Sequence, residues 1–238
     1  MSDAAHDFLI YGSPVSPFAR KVMAMAIEKG QGFDVNPVSF LDPPSWFATI
    51  SPMKRIPILR DRSIAPEGDH SSADGTIADS SAICGYIEKK HPSPALYPAD
   101  AFAHGRALFF EEYADTVLAP AAGLGVFRPI FFSMMQGKEP DIAKAKQAWA
   151  EDLPPVLDYL ESALGSADYF VADTVSIADI AVVCVFMQIE LVANAPLDAW
   201  PGLAAHHERM IARPSIAGPY KTAESFIRKA LPEPFDLT

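Results

Sequence analysis

Ser16-Pro17-Phe18-Ala19-Arg20-Lys21-Val22 decides the first half of the fold, because it joins a strand pattern to a helix pattern. The preceding run, Phe8-Leu9-Ile10-Tyr11, is β-prone, and Gly12-Ser13-Pro14 ends it with a turn. Apolar residues then recur at helical spacing to about Lys29, where Gly30 stops the helix. Ser is favoured at a helix N-cap and Pro directly after it. The stretch therefore predicts a strand, a turn and a helix that begins at Ser16.

Two further segments continue this first half. Arg55-Ile56-Pro57-Ile58-Leu59 is strand-like with a proline near its start, and Asp79-Ser80-Ser81-Ala82-Ile83 opens a helix that reaches about Lys90. The resulting order, β-α-β-α-β-β-α, predicts an α/β layer over residues 1–91. The other elements predicted here are strands at 33–36 and 76–78 and a short helix after 43–47.

The second half is predicted to be all-helical. The segment 91–98 contains three prolines and cannot continue a helix, so we predict a linker at 92–99 and a helical domain at 100–238. Its first long helix is expected to run from Phe109 towards Leu124, and Gly123–Pro129 is expected to be a broken segment. The other helices are predicted at 142–164 with a kink or restart at Pro154-Pro155, at 180–192 behind a capping box at 176–179, at 203–212 and at 215–230.

In this order the three segments resemble the glutathione-binding half of cytosolic glutathione transferases. The layout of nearly the whole chain is similar to that family as well. The resemblance implies a thioredoxin-like domain at 1–91, an all-α domain that contributes an electrophile pocket, and a two-fold homodimer. It also implies a transferase that detoxifies electrophiles, with glutathione as cosubstrate and no bound cofactor. No single class of the family is matched.

Ser16 is the predicted thiol-activating residue. A helix N-terminus presents unpaired N–H groups and positive partial charge, which stabilise a thiolate, and a hydroxyl there can donate one more hydrogen bond. The local sequence alone favours a plain N-cap at Ser16, and the resemblance reverses this in favour of the catalytic role. Tyr11 and Ser13 are the rival hydroxyls. Since Ser cannot form a mixed disulfide, thiol–disulfide exchange is not expected.

Glutathione itself is predicted to bind at the other two segments. Proline has no N–H, and in the family this proline is cis, so Ile56 and Pro57 would offer the backbone of Ile56 to the tripeptide as an added strand. Ser80 would cap a helix and hold the γ-glutamyl carboxylate, and Asp79 would accept from the γ-glutamyl ammonium. Lys54 would contact the glycyl carboxylate. An edge-strand proline and an ordinary cap are the alternatives without a ligand.

The electrophile is expected to bind where the helical domain begins. Tyr113, Phe127 and Phe131 are the predicted pocket residues, although most aromatic side chains in this region are expected to form the core. Residues 60–74 form a longer connection than hairpins usually have, and it is expected to lie away from the tripeptide.

Composition narrows the partners. The 238 residues carry a net charge of −11, which disfavours nucleic acid and anionic membranes. The 6 His show no metal-ligand spacing, so no metal is expected. The first residues lack the pattern of a secretory signal, and the 2 Cys do not form a disulfide framework, so a cytoplasmic location is expected.

The leading function is conjugation of the glutathione thiolate to a hydrophobic electrophile. One alternative is a non-catalytic binding or regulatory protein that keeps the fold. Another is a glutathione-dependent isomerase, lyase or peroxidase on the same scaffold.

Overall fold

The chain divides into two units, Met1–Pro94 and Ala95–Thr238. The structure is a computed structural model. It describes residues 5–39, 42–65, 70 and 72–238.

The first unit is built on a mixed sheet of four strands in the order β2-β1-β3-β4. β1 is parallel to β2 and antiparallel to β3, and β3 is antiparallel to β4. This is the predicted α/β order, and the fold class is confirmed. The elements are β1 (Phe8–Tyr11), α1 (Pro17–Glu28), β2 (Phe33–Asn36), α2 (Phe47–Ile50), β3 (Ile58–Asp61), β4 (Thr76–Ala78) and α3 (Ser80–Lys90).

Every residue of β1 is buried, because both faces of the sheet are covered. Successive side chains of a strand point to opposite faces. Leu9 and Tyr11 pack with Phe47 of α2 on one face. Phe8 lies on the other face, where its ring meets Lys90 of α3. Burial on both faces favours apolar residues at successive strand positions, which explains the uninterrupted run at 8–11.

The second unit is helical, as predicted. Its elements are α4 (Ala101–Met135), α5 (142–164), α6 (Ile177–Glu190), α7 (Pro201–Ile211) and α8 (Pro214–Ile227). The unit also contains two short parallel strands, β5 (Ala193–Asn194) and β6 (Phe235–Asp236), which the sequence patterns did not predict.

The expected break at Gly123–Pro129 is wrong, since α4 continues through it. The helix is π-helical over Pro120–Phe132, with Pro129 inside it. Proline removes an N–H and clashes with the preceding turn of an α-helix, and a wider turn accommodates both defects. The same explanation applies to α5, which is π-helical over Ala148–Asp152, directly before the two prolines at 154 and 155.

As one continuous helix, α4 is long and apolar enough to cross a membrane by length and composition. A core helix of a globular protein passes the same test, so this is weak evidence. Two features of α4 belong to a packed domain: Phe110 is fully buried, and the buried Glu111 accepts a hydrogen bond from Tyr97 at 3.0 Å.

The predicted capping box at the start of α6 is confirmed. The Asp179 carboxylate is fully buried and accepts the backbone N–H of Ser176 at 2.9 Å and that of Phe170 at 2.9 Å. It also lies 2.9 Å from Nε2 of His206 on α7. Asp179 therefore caps α6 and also ties it to α7.

Candidate active site

Ser16 lies at the N-cap of α1 and is half-buried. Its backbone is extended, Pro17 occupies the first helical turn, and its hydroxyl oxygen accepts the N–H of Ala19 at 3.4 Å. The hydroxyl hydrogen is a separate donor, so capping leaves it able to donate to a ligand. The turn before it is held by Ser13, whose carbonyl accepts the Ser16 N–H at 2.9 Å and whose hydroxyl accepts the Val15 N–H at 3.3 Å.

Tyr11 lies directly before this turn, but its side chain is fully buried among the residues of the α2 face. Its hydroxyl accepts a hydrogen bond from Nε of Arg60 at 3.1 Å and lies 3.0 Å from Nδ1 of His70. Trp46 packs edge-on against the ring at 5.7 Å. The structure therefore places the phenol of Tyr11 in an internal polar cluster.

The sequence predicts that the long connection between β3 and β4 lies away from the tripeptide. In the structure, part of this connection reaches the side chain of Tyr11. Buried Arg60 donates to the carbonyls of Ser72 at 2.6 Å and Asp74 at 3.3 Å, and His70 reaches Tyr11. A buried guanidinium needs acceptors for its N–H groups, and the connection supplies them. Residues 66–69 and 71 of this connection lie outside the described residues. In the sequence, the sign of this contact is an arginine placed within a predicted strand.

Ile56 and Pro57 stand where β3 begins, beside the turn that carries Ser16. The bond between them is cis, as expected from the family. A Cβ built on Gly12 would lie 3.6 Å from Cβ of Ile56 and 3.7 Å from Cα of Pro57, so the two segments lie close together. Within the described part of the chain, neither the N–H nor the C=O of Ile56 makes a hydrogen bond.

Asp79, and not Ser80 as predicted, is the N-cap of α3. Its carboxylate accepts the N–H groups of Ser81 at 3.0 Å and Ala82 at 3.2 Å. Asp79 is exposed and has a positive φ of 80°, an uncommon conformation that recurs at functional sites. Ser80 is the first helical residue and is buried, with 4% of its surface exposed.

Sheet pairing brings this third segment to the other two. Ile58 pairs with Ala78, so Pro57 and Asp79 lie one residue beyond the same pair. The three segments therefore meet at one end of the sheet, where β1 and β4 end and β3 begins. Lys54, with a positive φ of 53°, is exposed three residues before Pro57.

The predicted electrophile residues lie in the second unit. Tyr113 is half-buried, its ring lies 4.7 Å from that of Tyr159, and burial together with Tyr159 raises the pKa of its phenol. Phe127 and Phe131 are each 3% exposed and pack against one another at 5.4 Å. Of these three predicted electrophile residues, only Tyr113 has a side chain that is appreciably exposed.

One ionised cluster lies outside the candidate site. Burial alone would raise the pKa of Asp61 on β3, but hydrogen bonds from Lys90, Ser63 and Tyr86 lower it to about 2. Tyr86 donates at 2.6 Å, and Lys90 forms the ion pair. This cluster ties α3 to the sheet on the face opposite Tyr11. Within the described ranges, no group of three or more His, Cys, Asp or Glu side chains could hold a metal ion.

Comparison with known proteins gives the family. Residues 10–95 match the family model for the glutathione S-transferase N-terminal domain, and residues 126–221 match the model for the C-terminal domain. A probable glutathione S-transferase of Oryza sativa subsp. japonica, GSTF2, is 26% identical over 87% of this chain and 92% of that protein. Maleylacetoacetate isomerase of Rattus norvegicus is 26% identical over 75% of this chain and 74% of that protein.

A solved structure is similar over the same extent. The glutathione S-transferase of Methylobacillus flagellatus KT with glutathione bound is 27% identical, has a TM-score of 0.68, and is covered over 98% of its chain by 89% of this one. Two matched domain models and a shared two-part fold agree, and the chain belongs to the glutathione S-transferase superfamily.

Proposed function

We propose that this protein is a glutathione transferase that conjugates glutathione to a hydrophobic electrophile. The observation that carries the proposal is the backbone of Ile56, whose N–H and C=O make no hydrogen bond within the described residues and lie next to the helix that begins at Ser16. An extended peptide can pair with such groups as an added strand.

The arrangement suits each part of the tripeptide. The cysteinyl backbone pairs with Ile56, and the γ-glutamyl carboxylate meets Ser80 at the first turn of α3, where an anion is favoured. Asp79 is exposed and has a second carboxylate oxygen for the γ-glutamyl ammonium. Lys54 supports the glycyl carboxylate.

Ser16 is the proposed thiol-activating residue. A sulfur held at the N-terminus of α1 gains the helix dipole and a hydrogen bond from the Ser16 hydroxyl, and both lower the pKa of a thiol. With an aryl halide, the thiolate forms a C–S bond, the C–halogen bond breaks with its electron pair, and the thiol proton passes to solvent. Tyr113 is the proposed residue for the apolar part of the electrophile.

The same binding site also serves the alternative reaction. The similarity to a maleylacetoacetate isomerase supports a glutathione-dependent isomerase as the second candidate. Both reactions require glutathione to bind at the backbone of Ile56. We place the protein in the cytoplasm, since Cys84 and Cys184 are buried thiols of the kind found in reducing compartments.

The first experiment tests binding without chemistry. Thermal unfolding is measured with glutathione and with γ-Glu-Ala-Gly at about 5 mM each, because a ligand that binds the native state raises Tm. Both tripeptides are expected to raise Tm, and glutathione more, since only it offers a thiolate to α1. No rise with either tripeptide would exclude both glutathione-dependent functions.

A further inference from the structure

α1 carries two adjacent cations, Arg20 and Lys21, that are each only 1% exposed. The residues from Ala19 to Ala26 are otherwise apolar and buried. Burying a charge is costly unless fixed partners compensate it, and Lys and Arg are rarely buried otherwise. The partners of these two side chains therefore indicate what the charges do.

Arg20 reaches back along the chain to the turn before Ser16. Its Nη1 donates to the carbonyl of Pro14 at 2.8 Å and to that of Val15 at 3.1 Å. These are the two residues directly before Ser16. Since a carbonyl and the following peptide N–H belong to one rigid plane, fixing both carbonyls also fixes the direction in which Ser16 leaves the turn.

Lys21 points to the other helix of the site. Its Nζ donates to the hydroxyl of Ser81 on α3 at 3.0 Å. The N–H of Ser81 is in turn held by the Asp79 carboxylate at 3.0 Å. The first turn of α3 is thus fixed from two sides, and Ser80 lies between the two residues involved.

We propose that Arg20 and Lys21 are positioning residues with separate tasks at the glutathione site. Arg20 sets the turn that presents the Ser16 hydroxyl to the sulfur, and Lys21 sets the first turn of α3, which holds the γ-glutamyl end. This inference rests on the proposed function. It predicts that neighbouring residues on one helix affect different steps: Arg20 affects thiol ionisation, and Lys21 affects glutathione affinity.

The test compares Arg20→Met and Lys21→Met with the unaltered protein. Tm, the KM for glutathione, kcat and the pH dependence of thiolate absorbance in the binary complex are measured for each. Arg20→Met is expected to lower kcat about tenfold and to raise the pKa of bound glutathione by about one unit, with KM within about twofold, because a hydrogen bond to a charged group is worth about a factor of ten or more. Lys21→Met is expected to raise KM about tenfold and to leave the pKa of the bound thiol unchanged.

Lys29→Met is the matched control. Lys29 is also buried, at 4% exposure, but it lies at the other end of α1, where it donates to the Pro94 carbonyl and pairs with Glu88. This variant is expected to lower Tm without changing KM, kcat or the thiol pKa. If all three variants only lower Tm to similar extents, the inference is wrong.

Two further measurements remove ambiguous outcomes. Arg20→Lys and Lys21→Arg keep the charge. If the Met variants do not fold, the same separation is expected with these variants in smaller degree: kcat and the thiol pKa change in Arg20→Lys, and KM changes in Lys21→Arg.

Hydrogen exchange of the amides at 13–16 and 79–82 needs no ligand. Arg20→Lys is expected to speed exchange only in the first group, and Lys21→Arg only in the second. Equal exchange in both groups would overturn the inference, whereas failure of the unaltered protein to bind glutathione would overturn the proposed function.

Discussion

Ser16 and Tyr11 are five positions apart, yet the structure gives their hydroxyls different surroundings. Ser16 is half-buried at a helix N-terminus, where its proton can be donated to a ligand. Tyr11 is fully buried and bonded within the α2 face to Arg60 and His70. These surroundings support the proposal that Ser16 contacts the thiol, whereas the phenol of Tyr11 is held by hydrogen bonds inside the first unit.

Ser16→Ala is expected to lower kcat for an aryl halide by about 10- to 100-fold. The reason is the loss of one hydrogen bond to a charged sulfur, which is worth about 1.5–3 kcal/mol. The pH profile of the rate should shift to higher pH, because the bound thiol loses part of its stabilisation. Steady-state kinetics across pH measures both effects.

Tyr11→Phe is the control for that variant. It leaves Arg60 Nε without the acceptor it has at 3.1 Å, so it should cost about 1–3 kcal/mol of unfolding free energy. Its kcat should stay close to that of the unaltered protein. A normal rate for Ser16→Ala together with a lost rate for Tyr11→Phe would assign thiol activation to Tyr11.

The pKa of Asp61 predicts an acid-sensitive contribution to stability. Since the pKa is about 2 in the folded state and about 3.9 unfolded, the stabilisation is complete above pH 4 and is lost as the pH falls from about 4 to about 2. A difference of this size in pKa corresponds to about 2.5 kcal/mol of stability. Denaturant unfolding at pH 7 and pH 3 should show a smaller difference between these pH values in Asp61→Asn than in the unaltered protein. An equal difference in both proteins would contradict the prediction.

At the scale of elements, the sequence predicted the first unit closely because each strand is short and is flanked by Gly, Pro or Asp. It did not predict the continuity of α4, because Gly123, Gly125 and Pro129 are helix breakers in an α-helix, whereas a π-helical stretch accommodates the proline. It also assigned the cap of α3 to Ser80 and not to Asp79, since both residue types cap helices and the hydrogen bonds from Ser81 and Ala82 to the Asp79 carboxylate are seen only in the structure.

The site was predictable only in part, for a related reason. Local patterns predicted only caps and a strand proline at Ser16, Pro57 and the acidic-Ser pair, and the resemblance to the family made these residues candidates for the site. Arg20 and Arg60 donate to backbone carbonyls outside their own elements, and Lys21 donates to a residue 60 positions away. A cation inside an apolar run gives no sign of such contacts.

Asp179→Ala is expected to destabilise the second unit by about 3–5 kcal/mol. The variant removes the acceptor of two buried backbone N–H groups and the partner of His206, and unsatisfied buried groups carry their full desolvation cost. Asp141→Ala is the matched control: Asp141 also caps a helix, α5, but it is exposed, so about 1 kcal/mol is expected. Equal losses in thermal unfolding would show that burial of Asp179 is unimportant.

At the scale of the whole molecule, α4 of the second unit carries a row of exposed apolar side chains. Phe102 is 79% exposed, and Phe109, Val117 and Leu124 follow it on α4 at 44%, 39% and 50% exposure. Their spacings of seven or eight residues keep them near one side of the helix, which is the pattern of a seam between packed helices. Exposed apolar side chains in such a row are typical of a protein–protein interface.

We propose that this row on α4 contributes to the homodimer interface expected from the family, and Phe102→Glu with Val117→Glu tests it. A charge placed in an apolar seam must be desolvated or must separate the two copies, so the double variant is expected to be monomeric by light scattering after size exclusion, with Tm measured to show that it is folded. Leu108→Glu is the matched control, because Leu108 is on the same helix and 45% exposed but lies about 120° around it from Phe102. That variant should stay dimeric. If the double variant is a folded dimer, or the unaltered protein is a monomer, the row has another purpose and the dimer proposal fails.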